Sequence, residues 1–376
     1  MLFRSSAGQF GTGLAGGIEM LFSDITGTNM LYAALSLNGE IYDFGGQVSY
    51  VKQRKYLAWG VTLAHIPMSW GAYGYDTLVA NIDGQDRVLH DYQLVQYRLF
   101  QSSAGLLAQF PISKTQRFEL STGLQRYSYR IDIYSNYYLG NFYYGSDRHR
   151  NVSPPKPIWL ERTSLAYVID NSDFGLASPM RGQRAWIGAE KAFGDYNYFA
   201  VGADWRRYMF LRPTSLAFRV MYRGRFGHSD LLNTLSPLYL AYPWYVRGYN
   251  GNLFSRYDPE GITNIDQMQG DQMALVSAEW RIPFTGPHRL ALIRSNMLLT
   301  EIALFTDAGV AWAQNTLPTF AWHPTSREQH IPFVSSGISL RVNLFGMIVL
   351  EPYIAVPYQL GGFKSINWGM NFLPGW

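Results

Sequence analysis

Several short constellations in the 376-residue sequence have the residue types for chemistry, and each implies a different kind of site. In FGTGLAGGIEMLFSD, Gly11, Gly13 and Gly16 spell G-x-G-x-x-G, the pattern of a loop that cradles a pyrophosphate. Asp83, Asp86, His90 and Asp91 fall within NIDGQDRVLHD, a set suited to hydrolysis or to calcium. His228, Ser229 and Asp230 have the residue types of a nucleophilic triad. His323 and His330 are imidazoles of the kind that ligate metals. Arg247, in YPWYVRGYNGN, offers a planar fork suited to carboxylates.

Most of these fail on context. A phosphate loop follows a buried strand and opens a helix, with an acidic residue about 20 positions on. Only ten residues precede Gly11, and MLFRSSAGQF is not a continuous apolar strand. The stretch from Gly11 to Phe22 alternates: Leu14, Ile18, Met20 and Phe22 take even positions, while Gly11, Gly13, Ala15, Gly17 and Glu19 take odd ones. A period of two is a strand, with one greasy face and one small or charged face. The acidic set at 83–91 reads as a solvated outer loop. His228, Ser229 and Asp230 are adjacent in the chain, whereas triads are assembled by geometry. His323 and His330 have no ligand partner nearby, so no metal site is expected. No catalytic residue and no cofactor is expected, and the chain is not read as an enzyme.

Composition then narrows the class. Hydrophobic residues make up 47% of the chain and aromatic residues 16%, but charged residues only 15%. Soluble domains carry about 25% charged residues, so much of this surface is expected not to face water. No run of 18 apolar residues occurs, which excludes membrane-spanning helices. The spanning structure left is the closed β-barrel, in which apolar and polar residues alternate and hydropathy stays near neutral. Mean hydropathy is −0.11. The 27 Tyr, 22 Phe and 11 Trp suit the aromatic girdles of such a barrel. Cysteine is absent, which rules out disulfides and thiolate metal sites. A net charge of +4 is too small to argue for nucleic acid. Only six of the 31 basic residues are Lys, and an arginine excess suits paired carboxylates in confined places. MLFRSS is no signal peptide. An exported protein needs one, so the chain is expected to be truncated at its start.

Alternation places strands at 10–22, 29–38, 43–52, 56–66, 91–108, 116–129, 158–170, 181–193, 196–210, 213–225, 272–284, 297–312, 333–343, 347–357 and 366–376. In ALVSAEWRIPF, Val276 and Trp280 face one way and Ser277, Glu279 and Arg281 the other. In MLLTEIALFTDAGVAW, Leu298, Ile302, Leu304 and Val310 take one face, and Glu301, Ala303, Phe305, Asp307 and Gly309 the other. Short connectors alternate with long ones at 67–90, 130–157, 226–271 and 313–332, as periplasmic turns alternate with outer loops. The expected fold is an all-β, antiparallel transmembrane barrel of 16 strands, about 15 of them evident here. Residues 1–9 would be the remnant of a truncated first hairpin. The whole of 1–376 would be one barrel domain, with 226–271 as the sixth outer loop.

The order of VRGY, AEWRIPF and FTDAGVAW resembles the outer-membrane protein-assembly and two-partner-secretion transporter superfamily, also called the bacterial surface antigen family. In that family the sixth outer loop carries V-R-G-[FY] and folds back into the lumen, where its Arg meets acidic residues of the wall. Val246, Arg247, Gly248 and Tyr249 match the loop motif, and Phe305, Asp307 and Gly309 match the wall motif F-x-D-x-G. Glu279 lies on the strand between them. The alternative for the tetrapeptide alone is a solvated surface arginine; the F-x-D-x-G strand favours the anchored reading. The terminal INWGMNFLPGW places Trp368, Phe372 and Trp376 on the outer face and resembles the strand read by the assembly machinery. Gly11, Gly13 and Gly17 would line the lumen near the seam of first and last strands, where small residues admit a close loop.

The resemblance implies a role in outer-membrane protein assembly or polypeptide translocation. Implied partners are outer-membrane lipid and lipopolysaccharide, unfolded outer-membrane or secreted polypeptide clients, and a periplasmic domain N-terminal to this chain. Two alternatives stay open: a membrane anchor fused to another periplasmic domain such as a β-propeller, and a passive channel or outer-membrane hydrolase.

Overall fold

The computed structural model describes residues 16–37, 43–54, 56–149, 152–227, 237–257, 262–288, 290–295, 298–344 and 348–371. They form two compact units, one of residues 1–110, 120–163 and 192–196, the other of residues 111–119, 164–191 and 197–376.

The first unit holds β1 (Gly16–Ser23), β2 (Asn29–Leu37), β3 (Phe44–Lys52), β4 (Ala58–Ile82), most of β5 (Gln85–Pro111) and β6 (Gln116–Leu139), and β7 (Phe142–His149). β1 to β5 pair antiparallel in sequence order. Period-two patterning sorts the side chains. Leu31, Leu35, Val48, Leu63 and Leu106 are exposed on one face. On the other, Ser49 and Thr62 share a 3.0 Å hydrogen bond across β3 and β4. The first turn is closed by Asp24, whose carboxylate accepts from the Thr28 hydroxyl at 2.6 Å and the Asn29 amide at 2.7 Å.

Two expected outer loops are instead strand. Residues 67–90 continue the β4–β5 ladder up to Ile82 opposite Gln85. The chain reverses at Asp83-Gly84, with φ of 52° and 78°. That dipeptide, flanked by β-formers such as Val79 and Val88, is a type I′ hairpin signal and overrides the polar composition that suggested a loop. Likewise much of 130–157 is hairpin, with β6 reaching Leu139 and β7 reaching His149. The acidic set is thereby dispersed. Asp83 is in the turn, Asp86 accepts from Asn81 at 2.9 Å, His90 stacks on Tyr75, and Asp91 accepts from Ser135 at 3.0 Å.

The second unit contains the latter half of β8 (Ile158–Asp170), then β9 (Asp173–Phe174), most of β10 (Pro179–Gly194), β11 (Tyr198–Leu211) and β12 (Thr214–Gly227). After a long connection come β13 (Leu238–Tyr239), β14 (Gln269–Gly270), β15 (Gln272–Gly286), β16 (Ile293–Arg294), β17 (Leu299–Trp312), β18 (Phe333–Leu344), β19 (Ile348–Pro357) and β20 (Asn367–Asn371). β11, β12, β15, β17, β18, β19 and β20 form one antiparallel ladder. Along β15, Met273, Leu275, Ser277, Glu279 and Arg281 are buried, while Val276 and Trp280 are exposed. Among the described residues, each of the fifteen expected strands has a counterpart.

The buried face is buried because the long connection folds back on it. Leu238 and Tyr239 pair with Gly270 and Gln269, closing a clip at the loop's base. Leu240, Val246, Tyr249, Phe254 and Met268 of the loop then pack with Met221, Met273, Leu275, Ala311 and Phe333 of the wall. Each fully buried aliphatic side chain contributes about 1.5–3 kcal/mol relative to water.

Candidate functional site

The docked loop delivers VRGY to the inner face of the second unit, and each motif residue meets a distinct partner. Val246 lies over Gly309, where an added Cβ would come 2.9 Å from a Val246 methyl. Gly248 has φ of 94°, a backbone that side chains disfavour, and leaves no room beside Ala355. The Tyr249 hydroxyl sits 2.7 Å from the Val334 carbonyl and 2.6 Å from Gln359 Oε1.

Arg247 is 2% exposed and forks onto Asp307, with Nε to Oδ2 at 2.7 Å and Nη2 to Oδ1 at 2.9 Å. Its backbone N–H also donates to Asp307, at 3.2 Å. Nη2 reaches Glu279 at 2.9 Å and Nη1 reaches Glu351 at 3.3 Å. The guanidinium carbon lies 3.6 Å from the centre of the Phe305 ring. The F-x-D-x-G residues of β17 thus have separate contacts: Phe305 stacks under the guanidinium, Asp307 binds its edge, and Gly309 makes room for Val246.

The site is larger than the motif. Arg341 bridges Glu279 at 2.8 Å, Glu351 at 2.9 Å and Glu301 at 3.3 Å. Arg281 donates to Glu279 at 2.8 Å, to the Ser178 hydroxyl at 3.1 Å and to the Pro179 carbonyl at 2.8 Å. Ser178 in turn donates to Glu301 at 2.7 Å, and Asn343 holds the Leu176 carbonyl at 2.7 Å. Three guanidiniums therefore face four carboxylates, all nearly inaccessible to solvent. Such a group is tolerable only because every charge has a close opposite. It ties the loop above to the 176–179 segment, which leads from β9 into the first residue of β10. Alongside, Arg219 forks onto Asp204 at 2.9 Å and donates to the Trp244 carbonyl of the loop at 2.8 Å.

The terminal strand joins the same assembly. Asn367 donates to the Gly248 carbonyl at 3.1 Å, and Asn371 reaches Glu351 at 3.3 Å. Trp368, on the opposite face of β20, is 79% exposed.

A model of the Omp85 superfamily domain matches residues 27–364. The chain belongs to the Omp85 superfamily. Among solved structures it is similar to BamA from Haemophilus ducreyi lacking POTRA domains 1–3, with a TM-score of 0.57 and 16% identity, covering 96% of this chain and 67% of that one. CdiB from Acinetobacter baumannii gives a TM-score of 0.52 at 14% identity, over 95% of this chain and 55% of that one. CdiB from Escherichia coli gives 0.51 at 10% identity, over 97% and 60%. No curated protein matches. At such identities the likeness is one of fold. Membership of the Omp85 superfamily, together with that fold, makes the chain an antiparallel β-barrel of the Gram-negative outer membrane. The chain spans between just over half and two thirds of the length of those solved chains.

The Omp85 chain brings together Val246, Arg247, Gly248, Tyr249, Glu279, Phe305, Asp307 and Gly309. Gly17 lies on β1, opposite Ser36. Gly11, Gly13, Phe372, Trp376 and the 228–230 trio lie outside the described residues. His330 Nδ1 is 3.2 Å from the Gln267 carbonyl. Sequence reasoning missed Glu351, Arg341, Glu301 and Ser178 as parts of this site. For the first three a signal existed: each is a charge at an inward position of an alternating strand.

Proposed function

We propose that this barrel acts in outer-membrane protein assembly or polypeptide translocation, with the 226–271 loop as a lumen plug anchored through Arg247. The observation that carries the reading is the Arg247 fork, which meets Asp307, Glu279 and Glu351 from three different wall strands. A loop held this way closes the interior against leakage while remaining displaceable, since its anchor is ionic. The asparagines of β20 add a link to function: the loop holds the terminal strand by Asn367. Among the described residues, β20 pairs with β19 at 367–371 against 351–355. Moving the loop would loosen that strand, and a loosened strand edge is a template for an incoming extended segment. The clients are then unfolded polypeptides, and no covalent chemistry is required.

Two measurements test this. Controlled depletion of the protein is expected to lower the abundance of other outer-membrane barrels or of a secreted polypeptide. An unchanged outer-membrane and secreted proteome overturns the assembly reading. Separately, Arg247→Ala is expected to raise pore conductance in planar bilayers and lower the unfolding temperature. It leaves the buried Asp307 carboxylate without its cation, a change that costs about 3–5 kcal/mol when fully dry. Conductance and melting equal to wild type overturn the plug.

A further inference from the structure

The exposed apolar face of the first unit is not smooth. Gly46 lies opposite His65, His65 opposite Ser102, and Leu63 opposite Ala104, so β3 and β5 place the short side chains of Gly46, Ser102 and Ala104 on either side of β4. Leu35, Val48, Leu124 and Trp159 rise around them, leaving a depression of about 490 Å³. The depression is shallow and open rather than enclosed. Its polar floor is already satisfied, because His65 Nδ1 and Ser102 Oγ lie 2.8 Å apart.

Arg126 stands at the rim, with its guanidinium carbon 5.5 Å from the centre of the Trp159 ring. It shares this face with Leu124, and among the described residues no carboxylate pairs with it. A cation on a bilayer-facing strand is costly at the midplane and tolerated near an interface. Arg126 lies ten residues along β6 from its first residue, Gln116, which comes after a short turn. At about 3.3 Å per residue and a tilt near 40°, that is roughly 25 Å, the height of the apolar band. Arg126 and Trp159 therefore stand at the outer interface, at the level of outer-leaflet headgroups. A guanidinium backed by an indole, with its outer edge free, matches phosphate geometry.

We propose that this depression is a lipid site for the lipid A part of lipopolysaccharide, a phosphorylated and multiply acylated glycolipid. One acyl chain would lie over Gly46 and Ala104, and one phosphate would sit on Arg126. The site is independent of the Arg247 cluster and rests only on the outer-membrane location of the chain.

Native mass spectrometry of the full chain, extracted from outer membranes in mild detergent, tests it. The wild type is expected to retain one glycolipid with the mass of lipid A or its core-extended form. Arg126→Gln removes the charge at constant size, and Ala104→Leu fills the floor. Each is expected to reduce the retained fraction about tenfold, a loss of about 1.4 kcal/mol in binding. Folding of each variant is checked by its migration on unheated gels, and Ala104→Val serves if Ala104→Leu does not fold. Retention equal to wild type in folded Arg126→Gln overturns the headgroup contact. Retention of a phospholipid instead, or of nothing by the wild type, overturns the ligand.

Discussion

Arg247 lies over Phe305, 3.6 Å from ring centre to guanidinium carbon, while its edge is bonded to Asp307 two residues further along the same strand. One strand thus supplies both a face and an edge for one side chain. Lysine has neither a plane to stack nor a fork to pair. Arg247→Lys is therefore expected to behave nearly as badly as Arg247→Ala, despite keeping the charge. Conductance and thermal unfolding of the purified barrel check this; a lysine variant that matches wild type would show that charge alone anchors the loop.

The contact between Val246 and Gly309 predicts a suppressor pair. An alanine at 309 would press on the Val246 methyl at 2.9 Å and on Leu240 at 3.1 Å. Overpacking of this kind costs about 1–3 kcal/mol. Gly309→Ala is expected to destabilise the barrel, and adding Val246→Ala is expected to recover much of the loss. A double-mutant cycle with no coupling energy would mean that the two residues do not meet.

Ser178 sits between Arg281 and Glu301, so Ser178→Ala strips a partner from each. Leaving buried charges short of hydrogen bonds is expected to cost about 1–3 kcal/mol. Solvent labelling of the 171–180 segment, read by hydrogen exchange, is expected to increase while loop residues 240–249 change less. Equal protection in variant and wild type argues against the bridge.

Asp24 gives a pH prediction outside the membrane span. Hydrogen bonds from Thr28 and then Asn29 hold its carboxyl well below the ordinary aspartate range. A depressed folded pKa stabilises the turn at pH values above the unfolded value near 4, and that stabilisation fades as pH falls further. Carboxyl NMR is expected to show Asp24 still ionised where ordinary aspartates are half protonated, and Asp24→Asn is expected to abolish the acid-sensitive fraying of this hairpin. A midpoint near 4 would contradict the geometry.

The strand pattern was legible because alternation survives in each segment: Glu279 and Arg281 on one face of β15 and Val276 and Trp280 on the other need no tertiary information. Loop length was not, because Asp83-Gly84 in its polar surroundings has the composition of a connector as much as that of a hairpin tip. The anchor's first partners were reachable through motif order. Glu351 and Arg341 were not, because each is one inward charge in its own strand. Their meeting depends on register between β18 and β19 and on the loop above them. Ser178 lies 123 positions from Glu301 in sequence, and nothing local announces the bond.

Three guanidiniums and four carboxylates in one dry layer would have a consequence for the proposed movement of the loop. Sliding Arg247 outward by a few ångströms would break its bonds to Asp307, Glu279 and Glu351 before water could replace any of them. Full withdrawal hydrates all of the exposed charges together. Half-way positions would thus be the worst ones, so the proposed displacement of the loop would have a threshold, like a bolt: small forces would leave it seated, and a sufficient one would move it the whole way.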